Sequence, residues 1–363
     1  MACAMVFSLA ACGAKEAAPA AEAASTEEAV EEVEEEAEEA EEAADASFDD
    51  LEAVELIGAD STGKGAAGHI FGELVAEKVD EITGGKLTID YHPNGDLGGD
   101  ADLLRQMKSG DIDIVVCQTA PTVSFIPEMA VFDSPMAFAK YDGETIDKVL
   151  NEEGKFKEVL QEAYNAVGYR YLGILQNATY RLTTANKELN TLEDFKGLQI
   201  RTMENNNHMA FWTAIGAEPT PLAWAEVYIA LQNGTIAAEE NAADTVVGAN
   251  FQEVQSVLAC TNHILYANQI SINNDSYEAL DPAYQAALDQ AVAEALEEMS
   301  GKLAEIDESN KKILEDAGMT IINYEDDFFD SILELPGVIK LNADIDDATG
   351  GLATLLRECL AEA

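Results

Sequence analysis

Apolar side chains recur at Ile70, Leu74, Val75, Val79 and Ile82, at spacings of three and four that place them on one stripe of a helix. The stripe predicts a helix over 69–82, stopped by Gly84-Gly85. A mostly apolar strand, LEAVELIGA at 51–59, precedes it, and an alternating one, KLTIDYH at 86–92, follows. The rhythm then repeats. ADLLRQMKSG at 101–110 reads as a short helix and DIDIVVCQ at 111–118 as a strand. VGYRYLGILQ at 167–176 and LQIRTM at 198–203 are further strands, with a helical turn at LEDFKG between them. Strands alternating with helices put helices over sheet faces, so the class is α/β. The final third is helical: a helix starting at Tyr277 runs on past Gln290, with Ala291, Ala295, Met299 and Leu303 on its apolar stripe. GMTIIN at 318–323 adds a strand and Leu352–Leu360 a terminal helix.

The first fifty residues break this pattern. MACAMVFSLAAC is an apolar run of 12 residues, too short for a membrane-spanning helix, which takes about 20. It reads as an export signal. Leu9-Ala10-Ala11-Cys12 resembles a bacterial lipobox, which would make Cys12 the lipidated first mature residue, although no basic residue precedes Lys15. From 13 to 50 alanine and glutamate dominate, including EEVEEEAEEAEEAAD. Like charges at helical spacing oppose a helix, and so little apolar surface cannot fold alone. The segment is expected to be an extended tether, with the globular part starting near Leu51.

Charge narrows the partners. The chain of 363 residues carries 70 acidic and 20 basic side chains, a net charge of -50. Such a field repels nucleic acid and anionic lipid. It also repels a free anion at long range, so any anion site needs local, directed donors. Cys117, Cys260 and Cys359 are too far apart for a CxxC motif. His69, His92, His208 and His263 form no HExxH pattern, and no GxSxG elbow occurs, so neither a metal site nor a catalytic nucleophile is expected. Gly63, Gly65 and Gly68 match GxGxxG, but no acidic ribose ligand follows in the right context. A loop at a ligand cleft is the better reading, and no cofactor is expected.

Basic residues are scarce enough for each to be informative. Arg201 ends the LQIR strand, and Arg181 follows Tyr180 beyond the 167–176 strand. Ligands of open α/β sheets gather at the carboxyl ends of strands, where a guanidinium grips a carboxylate with two parallel hydrogen bonds. The competing role for either arginine is a salt bridge. Trp224 begins the helix AEVYIALQNG, where a ring can face a cleft, whereas Phe211-Trp212 is better suited to anchoring a helix on a sheet. The polar run Asn205-Asn206-Asn207-His208 reads as a solvated helix start.

Several ordered blocks resemble the DctP family, the solute-binding subunits of TRAP transporters. They include GLQIR at 197–201, GAEPTPLAWAEVYIALQNGTIAAEEN at 216–241 and FQEVQSVLACTNH at 251–263. Supporting blocks are GGKLTIDYHPNGDLGG at 84–99, GDIDIVV at 110–116, FIPE at 125–128 and YRLTTANK at 180–187. The resemblance implies a two-domain clamshell like that of periplasmic binding proteins, with mixed sheets, crossing strands and a long connecting helix. Its first domain would be 51–178 with 267–306 and its second 179–266 with 307–363.

The same resemblance implies the site. Arg201 would bind a solute carboxylate, Arg181 would be a second anion contact, Asn241 would orient the solute and Trp224 would pack on its apolar part. Gln118 and Glu240 complete the implied set, with the loops at 60–63 and 118–120 closing over the solute. The expected function is capture of a small organic acid outside the cytoplasm and its delivery to the small and large membrane subunits of the transporter. A receptor feeding a sensor, and an extracytoplasmic enzyme on the same fold, are the alternatives. Departures from the family pattern are Thr202-Met203 after the arginine, Ala242 in place of a proline after Asn241, and Ala238-Glu239 in place of the usual Gly-Gln.

Overall fold

The computed structural model describes residues 48–176 and 178–363. The expected signal over 1–12, its Cys12 and nearly all of the acidic tether lie outside them. Packing starts slightly before Leu51: Phe48 opens a single helical turn, Phe48–Asp50, and stacks on Tyr284 at 5.8 Å between ring centroids.

Eleven strands form two mixed sheets among the described residues. The first joins β1 (Val54–Asp60), β2 (Leu87–His92), β3 (Ile114–Gln118), β4 (Tyr169–Leu175) and β10 (Asn268–Asn273) in the order β2-β1-β3-β10-β4. β1, β2 and β3 run parallel, and β10 enters antiparallel between β3 and β4. β3 and β10 are buried along their whole length, as expected of strands covered on both faces. The second sheet has the order β11-β9-β5-β8-β6-β7. Its strands are β5 (Leu182–Ala185), β6 (Gln199–Thr202), β7 (Glu218–Pro221), β8 (Ala238–Asn241), β9 (Val257–Ala259) and β11 (Thr320–Ile322).

Two chain segments cross between the sheets side by side. Arg181 N–H donates to Ile264 O at 2.9 Å and Tyr266 N–H to Thr179 O at 2.9 Å, with an antiparallel bridge between Tyr180 and Leu265. A third connection is the helix Pro282–Asp316, which packs on the helices Ala67–Thr83 and Ala243–Gly248 and on β4. The fold is thus the expected α/β clamshell, with crossing strands and a long connecting helix.

Local chemistry explains most boundaries. The helix Ala67–Thr83 stops where Gly84 adopts φ 60° and its N–H caps Asp80 O and Glu81 O, a left-handed turn that suits a residue without Cβ. The long helix differs from the sequence expectation. It starts at Pro282 and not at Tyr277, because Asp281 caps Ala283 N–H at 3.0 Å and Pro282 occupies the first turn. Proline has no N–H to give and clashes with a preceding helical turn, so Asn274–Glu278 forms a separate short helix. Gly301 leaves the long helix unbroken.

The C-terminal helices bind both lobes together. Pro336–Ala348 packs on the helix Asn206–Ile215, while Leu352–Glu362 packs on Gly143–Asn151 and Lys155–Ala166, which flank β4. One continuous core therefore includes Val115 and Ile174 of the first sheet and Ile200 and Ala238 of the second. Cys117, Cys260 and Cys359 are free thiols.

Candidate functional site

β6 lies between β7 and β8 and runs parallel to both, so Arg201 stands level with Glu239. Side chains of register partners leave a sheet on the same face, and those of successive residues on opposite faces. Arg201 and Glu239 therefore share one face, and Glu240 faces the other way. This alternation sorts the charges of the site into two groups.

The first group contains a closed ion pair. Arg181 is 2% exposed and Glu240 fully buried. Arg181 Nε donates to Glu240 Oε2 at 2.5 Å and Nη2 to Oε1 at 3.0 Å, with a further bond from Nη2 to Glu240 O at 2.7 Å. Arg181 Nη1 donates to Gln118 Oε1. Gln118 Nε2 in turn reaches Asn241 Oδ1 at 3.4 Å. Two histidines complete the environment of Glu240: His208 Nδ1 lies 3.3 Å from Oε1 and His263 Nε2 3.1 Å from Oε2. Burial alone would raise the Glu240 carboxyl, but Arg181 and the histidines outweigh it and hold it well below the usual carboxylate range. Burial pulls His208 down, yet Glu240 and Asp133 overcome it and lift the imidazole to about 9. The other face of His208 meets Asp133 Oδ1 at 3.1 Å, in the turn Pro127–Asp133 after β3.

Asn205 and Asn207 also reach Asp133 Oδ2, at 2.8 Å and 3.0 Å. The expected solvated helix start holds at the exposed Asn206 but not at Asn205 and His208, which are buried. Asn205 caps its helix by accepting from Asn207 and His208 N–H, and the run fastens the second sheet's helix to the first sheet's turn. Composition gave no hint of this, because the partner, Asp133, is 72 residues away in sequence from Asn205.

The second group is open. Arg201 is 2% exposed, its Nε donates to Leu222 O at 3.0 Å, and its guanidinium carbon lies 5.5 Å from the centroid of the half-buried Trp224 ring. Nη1 is buried, and among the described residues it has no hydrogen-bond partner and Arg201 forms no ion pair. Burial lowers its pKa to about 10, although Glu239, Glu240 and Asp100 pull the other way. A cation taken from water without a compensating anion is costly, so this guanidinium is poised to receive one.

Carboxyls border the same space. Burial pushes Glu239 up to about 7 despite Arg201 beside it. Glu239 Oε1 accepts from Thr184 Oγ1 at 3.0 Å, and Oε2 has no partner among the described residues. Asp100, at the start of the helix Asp100–Ser109, is pushed up to about 6 by burial, against the hydrogen bond from Ser61. Asp60 orders the loop after β1 by accepting from Thr62 N–H at 2.7 Å and Tyr91 Oη–H at 2.8 Å. Gly63 packs on the Gly248 backbone, and Ala67 N–H donates to Asp244 Oδ2 at 2.8 Å. The glycine-rich loop thus closes against the second lobe.

The structure brings the six expected solute-contacting residues to one region but gives them different work. Arg201 keeps an unpartnered Nη1 beside Trp224, whereas Arg181, Glu240, Gln118 and Asn241 form a bonded chain. Sequence reasoning missed Asp100, Asp133 and the partners of His208, since nothing in their local patterns marks them. A surface groove of about 1070 Å³ lies elsewhere, lined mainly by acidic residues such as Glu144, Asp147, Glu158, Asp289 and Glu297, together with Lys157 and Arg170. Its mostly acidic wall disfavours an anion.

The chain matches the family model described as "Bacterial extracellular solute-binding protein, family 7", DctP, over residues 58–330. A sialic acid-binding periplasmic protein of Vibrio cholerae is 29% identical over 220 residues, 61% of this chain and 67% of that protein. The sugar acid binding protein of Advenella mimigardefordensis, solved with galactonate, superposes with a TM-score of 0.79 at 22% identity, covering 86% of this chain and 99% of that one. A TRAP periplasmic solute binding protein from Desulfovibrio salexigens, solved with bound orotic acid, gives a TM-score of 0.79 at 24% identity over 85% of this chain and 99% of that one.

Proposed function

We propose that this chain, which belongs to the DctP family of bacterial extracellular solute-binding proteins, captures a small organic acid at Arg201 and presents it to TRAP membrane subunits. Binding, with no catalytic step, is the activity of the family. The observation that carries the carboxylate reading is the buried, unpartnered Nη1 of Arg201 beside Trp224. A solute carboxylate would accept from it and end its isolation, while Trp224 covers the apolar part. Sialic acid, galactonate and orotic acid, the ligands named for the relatives, are all acids.

In this reading Arg181 contributes mainly through position. Glu240 takes three of its donors and Gln118 a fourth, leaving one N–H for a solute. Asn241 and Gln118 link the lobes beside it. We take the lobes as 51–178 with 267–306 and 179–266 with 307–363, turning about the crossing segments. A solute touching both lobes favours the closed form, which is the form the membrane subunits would recognise.

Cys12 is the proposed lipid attachment, with the acidic segment as a tether that holds the receptor near the transporter. Replacing Cys12 with alanine should release the protein from the membrane fraction. A thermal-shift screen of organic acids on residues 48–363, followed by calorimetry, tests the binding function. Saturable, Arg201-dependent stabilisation by at least one acid supports it; no response from any carboxylate removes it.

A further inference from the structure

Glu239 is fully buried and stands level with Arg201 on the neighbouring strand, on the same face of the sheet. The two side chains do not pair. Arg201 Nη1 and Glu239 Oε2 are each buried and each without a hydrogen-bond partner among the described residues. Adjacent strands lie about 4.8 Å apart, so the unpartnered donor and the unpartnered acceptor rise from neighbouring backbone positions on one face. Buried polar atoms are almost always satisfied. Two orphans of opposite type at one strand end point to a ligand that supplies both complements.

Resting on the carboxylate reading above, we propose that Glu239 is a specificity-determining residue that accepts a hydrogen bond from a hydroxyl or ammonium on carbon 2 of the solute, so that the preferred ligands are 2-hydroxy or 2-amino acids. The solute carboxylate takes Arg201 Nη1, and the donor next to it takes Glu239 Oε2. Thr184 Oγ1 already occupies Oε1 and so fixes which oxygen is presented. An ionised carboxylate accepts and never donates, so a 2-oxo acid would set its carbonyl oxygen against Glu239 with no proton between them. A site built to bond a hydroxyl rejects analogues that lack it more strongly than an apolar pocket rejects an extra group. Burial pushes Glu239 up to about 7, and a donor from the solute would hold it ionised at neutral pH.

The test is calorimetry at pH 8 on residues 48–363 with the 2-hydroxy, 2-amino, 2-oxo and unsubstituted acids of four and six carbons. The original protein should bind a 2-hydroxy or 2-amino acid at least tenfold more tightly than the 2-oxo acid of equal length. Glu239→Gln, whose amide can donate to an oxo group, should shrink that ratio below threefold. Glu239→Asp, which keeps the charge but withdraws it, should retain the preference at reduced size and covers the case in which Glu239→Gln misfolds. A preference for 2-oxo or unsubstituted acids, or an unchanged ratio in Glu239→Gln, overturns the assignment while leaving the anion site standing. Failure of every acid to bind, with Arg201→Met indistinguishable from the original protein, removes the anion site itself and this inference with it.

Discussion

Replacing Arg201 by methionine should weaken solute binding and at the same time leave the stability of the ligand-free protein nearly unchanged. The affinity side follows from a partly buried charge pair. Truncating one partner of such a pair costs about 2–5 kcal/mol, and about 1.4 kcal/mol is tenfold in Kd, so Kd should rise roughly 25- to 4,000-fold. The stability side follows from the empty site. Arg201 falls from 12.5 to about 10 chiefly through burial, and at about 1.36 kcal/mol per pKa unit this is a penalty on the order of 3 kcal/mol for holding the charge there. Against it stand one charge-assisted hydrogen bond to Leu222 O at 3.0 Å and the contact with Trp224 at 5.5 Å, together worth about 2–4 kcal/mol. Methionine refills most of the volume without a charge. Urea unfolding of the ligand-free protein should therefore show a change within about 1 kcal/mol of zero for Arg201→Met, while calorimetry shows the loss of affinity. Binding within threefold of the original would refute the anchor role. A loss of more than about 2 kcal/mol in the empty protein would show that the guanidinium is a structural group.

The charge pair behind the site should behave in the opposite way. Glu240→Ala leaves Arg181, His208 and His263 without their shared acceptor, and urea unfolding should show a loss of about 3–5 kcal/mol; a loss below 1 kcal/mol would contradict the pairing. His208 lies between Glu240 and Asp133 with its pKa raised to about 9. A raised pKa means that the folded state holds the proton more tightly than the unfolded chain. Its contribution is complete below about pH 6.5, declines from there to about 9 and is gone above. The stability gap between the original protein and His208→Gln should narrow over that window, and a gap that is flat or widening would oppose the assignment. Gly72→Ala should destabilise by about 1–3 kcal/mol, because a Cβ there would lie 1.8 Å from Tyr91 Oη, the group that donates to Asp60. Neutral thermal melts for this variant would show that Tyr91 is free to move.

Much of the fold is readable along the chain because its causes are local. The Ile70–Ile82 stripe, the Gly84 stop and the alternation of KLTIDYH depend on residues within a turn or two of one another. The short strands β5, β8 and β9 escape such reading, since three or four residues carry too little periodicity; pairing with neighbours far away in sequence makes them strands. The break before Pro282 was visible as a proline but is overridden in a pattern search by the apolar stripe on either side. His208 and Asp133 are illegible for a related reason: a buried polar residue and an exposed one look alike until the partner is known.

The amino-acid order alone determined the alternating α/β plan, the acidic leader ahead of it and the placing of two arginines at strand ends. Which arginine remains available was decided by tertiary structure. β8 inserts between β5 and β6 and sends consecutive glutamates to opposite faces, so Glu240 closes on Arg181 while Glu239 stands beside Arg201 without reaching it. Strand order sets which charges meet, and strand order depends on long-range pairing that no stretch of sequence contains.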